Sequence, residues 1–223
     1  TIKVWVDQKL VWTQQDNGAG DFYMKDGVYE QSHNPTHQMD TCITNILMWT
    51  SPGSPVVPLK WTGQTNGVGV GNWDIGITTN WANAGNGAIE FYQDDSPVTF
   101  DDSAPGTTTV NLQATVNPAS VTVSNLFKNY TFAGSGSLGG TTSLVKHGIG
   151  TLTVNTANSF TGGVLIDGGM FQADNAMALG STSGTTVITN NGTLDLNGNN
   201  LGTEPVYVSG RGLNADGAII STS

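Results

Sequence analysis

The side chains best suited to chemistry stand at alternate positions in one short stretch, Tyr23-Met24-Lys25-Asp26-Gly27-Val28-Tyr29-Glu30-Gln31. A phenol titrates near pH ~10, so at neutral pH it donates a proton readily and needs activation to accept one. An ammonium close by helps in both respects, because it stabilises phenolate and attracts an anionic substrate. An amide can hold a hydroxyl or a carboxylate. The element that would position such groups is a strand, whose side chains alternate faces with a period of two. That periodicity puts Tyr23, Lys25, Gly27, Tyr29 and Gln31 on one face and Met24 and Val28 on the other with Phe22. A wet face with a glycine gap suits a groove that grips a sugar chain. The same alternation also fits an ordinary amphipathic strand.

The stretch resembles the Tyr-Phe-Lys-Ala-Gly-Val-Tyr-Asn-Gln motif of alginate lyases of polysaccharide lyase family 7 and of related jelly-roll lyases, including glucuronan lyases. Six of its nine residues are the same. The flanking segments Thr1 to Leu10 and Asp40 to Thr50 resemble the preceding and closing strands of those enzymes, so the resemblance covers about residues 1–50. It implies cleavage of a uronic-acid polysaccharide by β-elimination: one group neutralises the carboxylate, a base takes the proton at C5, and an acid protonates the departing glycosidic oxygen. It places the catalytic tyrosine on Tyr29 and substrate contacts on Tyr23, Lys25 and Gln31.

The family also uses an Arg-x-Glu-x-Arg strand and a Gln-x-His strand. The chain's single arginine, Arg211, lies far away in a Gly-rich segment, and His33 and His37 read as surface-loop histidines after the motif. The catalytic set is therefore incomplete. A jelly roll has about eight strands, whereas residues 1–50 supply about three, and the chain opens inside an apparent strand. The expectation is the C-terminal part of a lyase domain from a longer protein, inactive by itself, with the missing remainder of that domain as a partner.

Composition bounds the rest. Charged residues make up 11% of the 223, there are 30 glycines, and helix formers are few. Short Val, Ile and Leu pairs between Gly, Asn and Thr turns read as all-β. A formal net charge of −10 argues against nucleic acid as a partner. No apolar run is long enough to span a bilayer as a helix, so membrane insertion is not expected. The lone cysteine, Cys42, can form no internal disulfide and reads as buried and inert. Low charge and high Gly/Asn/Thr, together with the resemblance, point to a secreted or cell-surface bacterial protein. The resemblance implies an acidic polysaccharide as partner and no cofactor or metal, although so acidic a surface offers no general attraction for such a polymer and its binding would be local, around Lys25.

Residues 51–60 are proline-rich and read as a linker. From residue 61 to 223 the sequence repeats loosely. Gly150-Thr-Leu-Thr-Val, Gly168-Gly-Met-Phe-Gln and Gly192-Thr-Leu-Asp-Leu mark similar points at intervals of roughly twenty residues. A unit of that size cannot bury its own apolar face, but stacked coils build one core. The expectation is a β-solenoid, most simply a parallel β-helix; the same turn spacing also permits an antiparallel sandwich. Residues 143–175 resemble the autotransporter-associated β-strand repeat, which implies a secreted or surface-exposed right-handed β-helix. The expected fold is thus all-β, the C-terminal strands of a jelly roll followed by that β-helix.

Three further features have two readings each. Trp61, Trp73 and Trp81 can stack on sugar rings or cap the end of the solenoid core. Asp94-Asp95 and Asp101-Asp102 can gather a calcium ion or sit in solvated turns, and the turns are preferred because the spacing matches no calcium loop. His147, beside Lys146, reads as a turn or surface residue. The Asn-rich turns at Asn190-Asn191 and Asn197 to Asn200 suit left-handed backbone or side-chain stacking between coils.

Overall fold

The computed structural model describes strand backbone at residues 2–6, 9–14, 22–23 and 30–31, and residues 56–222 throughout. The chain divides into two compact units, Thr1–Ser54 and Pro55–Ser223. In the first, Ile2–Val6 pairs antiparallel with Lys9–Gln14, and the register shifts between Val4 and Trp5. Phe22–Tyr23 pairs antiparallel with Glu30–Gln31, Tyr23 opposite Glu30. The two ends of the tyrosine motif therefore face each other across a ladder. The single extended strand expected through the motif does not describe them. Directly paired positions share a face, so Tyr23 falls on the face of Glu30 and Gln31 on that of Phe22, not together as expected, because period-two alternation cannot tell one long strand from two short ones that pair.

The second unit is a β-solenoid of about six turns. No α-helix occurs among the described residues, only a single 3-10 turn at Leu213–Ala215. One wall is a sheet built from Leu59–Trp61, Pro97–Asp101, Ser120–Ser124, Ser143–His147, Val164–Asp167, Thr186–Thr189 and Val206–Val208, each parallel to the next. Its strands from the second onward start at 97, 120, 143, 164, 186 and 206, so successive coils are 20–23 residues apart. The opposite wall stacks Asn72–Trp73, Thr109–Leu112, Tyr130–Gly134, Thr151–Val154, Met170–Ala173, Thr193–Asp195 and Ile219–Ile220, again in parallel. A short third ladder joins Thr115–Val116 to Ser137–Leu138.

Register makes each coil's inward residues a column. On the first wall Phe100, Val123, Lys146, Ile166, Ile188 and Val208 lie in line. On the second, Tyr130, Leu152, Phe171, Leu194 and Ile219 do so. The β-branched and aromatic residues in these columns favour extended backbone and fill the space between the walls. Most are fully buried. Burial of this kind contributes about 25 cal/mol per Å² of apolar surface, and in a stacked coil that surface is covered chiefly by the neighbouring coils.

The two ends of the stack differ. At the first end an antiparallel excursion, Trp81–Asn83 with Ile89–Glu90, pairs with Leu59–Trp61 and closes the sheet. Trp61, Trp73, Trp81, Tyr92 and Phe100 pack together there, all fully buried, with ring centroids 4.9–5.9 Å apart and mostly edge-to-face. At the last coil the column residues Val208 and Ile219 remain 48% and 43% exposed.

Turns between the walls carry the Gly and Asn signals. Asn190, Asn191 and Asn197 have φ of 47°, 61° and 43°, the left-handed region that asparagine tolerates. Gly169, at φ 64°, lies where a Cβ would collide with the carbonyl oxygens of Gly148 and Gly150 in the coil below. Close stacking of one turn on the next requires glycine there.

Candidate functional site

Most carboxylates and amides of the solenoid bind the coil next to them. Asp94 accepts hydrogen bonds from the Asn117 backbone N–H at 2.8 Å, from its Nδ2 at 3.0 Å and from the Tyr92 hydroxyl at 3.0 Å. Asp102 accepts from the backbone N–H groups of Leu126, Phe127 and Lys128 at 2.7–3.0 Å. Those donors, with the Lys128 charge nearby, hold its carboxyl below the usual range despite slight desolvation. Asp101 pairs with Lys60 at 2.9 Å and accepts from Ser103. Burial raises its pKa, but those partners outweigh it and the carboxyl titrates low. Neither acidic pair is arranged around a common centre, and no group of three or more His, Cys, Asp or Glu able to hold a metal occurs among the described residues.

Inside the stack, Asn158 is fully buried, with both its amide oxygen and its amide nitrogen hydrogen-bonded. Its Oδ1 accepts from the Leu138 N–H and the Thr156 hydroxyl, and its Nδ2 donates to the Ala178 carbonyl. Lys146 occupies a core column and is also fully buried. Its Nζ donates to the carbonyls of His147 at 2.9 Å and Gly148 at 2.8 Å, with Gly168 of the next coil at 3.5 Å. Burial pushes this ammonium down to about 8, while the Asp102 charge acts the other way. Backbone dipoles replace a carboxylate as its partners.

One groove opens above that ammonium, at the corner where the first wall turns toward the second. It has a volume of about 390 Å³ and is lined by the equivalent turns of four successive coils: Ile149, then Gly168 and Gly169, then Asn190 and Asn191, then the segment from Arg211 to Ala215. Arg211 is exposed and has no ion-pair partner among the described residues. Beside the groove, Asp167 binds His147 Nδ1 at 3.0 Å, the Thr189 hydroxyl at 2.8 Å and the Asn190 amide. The Thr189 bond leads the donors that hold the Asp167 carboxyl low. His147 is a half-exposed surface residue in contact with this carboxylate, as its position beside a turn suggested.

The sequence candidates fall as follows. Lys25 and Tyr29, with His33, His37 and Cys42, lie outside the described residues. Tyr23 and Gln31 belong to the paired strands of the first unit, where backbone alone is described. Trp61, Trp73 and Trp81 are brought together with no exposed surface, so none of them offers a ring face to a sugar from solvent. Their place at the closed end is the one a capping role requires.

Sequence reasoning passed over three things. Gln31-Ser32-His33 has the Gln-x-His order, although it shares Gln31 with the tyrosine motif and so is not a separate strand; its histidine is outside the described residues. Lys146 shares a column with Val123 and Ile166, and aligning the repeats by strand would have marked it as a buried cation. Arg211 is remote from the motif in sequence, and no local pattern marks a groove assembled from turns about twenty residues apart. No family model matches the chain, and neither a curated protein nor a solved structure shows significant similarity to it.

Proposed function

We propose that residues 55–223 form a non-catalytic, right-handed β-helical module of a secreted or surface protein that handles a uronic-acid polysaccharide such as alginate or glucuronan. The observation that carries the module reading is the use made of the polar side chains: Asp94, Asp102, Asn158 and Lys146 are all engaged with neighbouring coils or turns. Such a body suits a stalk or spacer that holds a polymer or displays another domain. The polysaccharide reading rests on the resemblance of the Tyr23 to Gln31 stretch to jelly-roll lyases.

A second reading keeps the enzyme. The same stretch favours residues 1–50 as the C-terminal strands of a lyase jelly roll, with Tyr29 as acid and base, and with Lys25 and one of Tyr23 and Gln31, which take opposite faces of their ladder, on the substrate. In β-elimination the base takes the C5 proton, the C4–O bond breaks as a C4–C5 double bond forms, and the departing oxygen is protonated. With the arginine strand of the family missing, the 223-residue chain alone is expected to show no turnover. Affinity electrophoresis in gels containing alginate, glucuronan or a neutral glucan tests the first reading, and retardation by a uronate polymer is the expected result. Appearance of the ultraviolet-absorbing unsaturated product from this chain would replace the module reading with an active enzyme.

A further inference from the structure

We infer that the corner groove along the turns of the last four coils is a binding site for the carboxylate of an acidic glycan, with Arg211 as the anchoring residue. The inference rests on the polysaccharide reading above and assigns that polymer a place on the solenoid.

Charge is the first argument. In a chain of formal net charge −10, the sole arginine lines a groove and is left unpaired among the described residues. A guanidinium presents a planar fork of donors that fits a carboxylate with two parallel hydrogen bonds. The Lys146 ammonium lies beneath the same corner, bonded to the carbonyl oxygens of Gly148 and Gly168. Shielded by those carbonyls, it cannot touch a ligand, but it adds a positive field below the floor. Of the carboxylates beside the groove, Asp167 is held by His147, Thr189 and Asn190, whereas Asp216, next after the lining residue Ala215, is exposed and forms no ion pair with Arg211.

Shape and polarity are the second argument. Asn191 and Asn214 are exposed, stand in left-handed turns with φ of 61° and 57°, and their side chains bind nothing among the described residues. Their amides offer both donors and acceptors to sugar hydroxyls. Ile149, 64% exposed, and half-buried Leu213 give an apolar surface for the C–H face of a ring. Gly168 and Gly169 keep the floor low between them. Since adjacent parallel strands lie about 4.8 Å apart, a linear polymer running along the axis meets a new turn at each coil. A site of this length suits a chain rather than a free monosaccharide.

The test compares wild type with Arg211→Ala, Arg211→Lys and Asn191→Ala by affinity electrophoresis on alginate and glucuronan, a neutral glucan and a no-polymer control, with soluble glucuronate as competitor. Arg211 is exposed, so the variants should keep the wild-type circular dichroism. Wild type should be retarded by the uronate polymers alone. Arg211→Ala should bind them roughly tenfold more weakly, the size of one lost charge-assisted contact. Arg211→Lys should fall between, and the monosaccharide should compete poorly. Equal retardation of wild type and Arg211→Ala by a uronate polymer overturns the groove but leaves the polysaccharide reading standing. No retardation of wild type by any uronate polymer overturns both. Equal retardation by the neutral glucan overturns the carboxylate assignment, and strong competition by free glucuronate overturns the polymer in favour of a small carboxylate ligand.

Discussion

At the scale of single residues, Lys146 shows how the solenoid treats charge. A lysine in a core column costs desolvation, which is why its ammonium titrates at about 8 against an ordinary 10.5. Below about pH 8 both folded and unfolded chains hold the proton and the penalty is constant. Between about 8 and 10.5 the unfolded chain holds more protons than the folded one, so stability rises with pH. Wild type should therefore gain about 1–3 kcal/mol relative to Lys146→Met as pH goes from 7 to 10, measured as the difference in urea midpoints. The comparison matters because Tyr92 and Tyr130, whose phenols are held above their usual value chiefly by burial, oppose the trend above about pH 10 in both proteins. A parallel pH response in the two proteins would show that Lys146 reaches water.

At the scale of elements, the repeats were legible because inward positions must be apolar and turns must be Gly or Asn. Leu152, Phe171 and Leu194 follow the glycines singled out in sequence, and they stack directly on one another. The pairs Val121/Val123 and Val164/Ile166 likewise fall on inward positions. What was not legible depends on coils meeting. Strand alternation shows which side a residue takes, not which neighbour covers it. Thus the burial of the tryptophans, the carbonyl setting of Lys146 and the groove at Arg211 needed the three-dimensional stack. The stack also predicts unequal sensitivity along its length. Trp73→Ala, in the closed aromatic end, should cost about 3–5 kcal/mol. Ile219→Ala, in the half-exposed last column position, should cost well under half of that by the same denaturant assay.

At the scale of the molecule, the Pro55–Ser223 unit has its own core, closed at one end by its own aromatic residues. A chain of residues 55–223 should keep the β-type circular dichroism and a cooperative thermal transition within a few degrees of the full chain's. Loss of that transition would mean that residues 1–54 contribute part of the fold. No described helix is long and apolar enough to cross a membrane.

The in-line register of the parallel walls has a consequence for mutation. A deletion within one strand turns that strand's inward residues outward, yet the strands above and below keep their phase because each takes its register from its own turns. Frame errors in this architecture are confined to a single rung. Whole rungs of 20–23 residues can be gained or lost by duplication or recombination while the contacts beyond the junction survive. The binding groove is the exception, since it draws on four rungs at once, and a change in rung number within it would rewrite its lining.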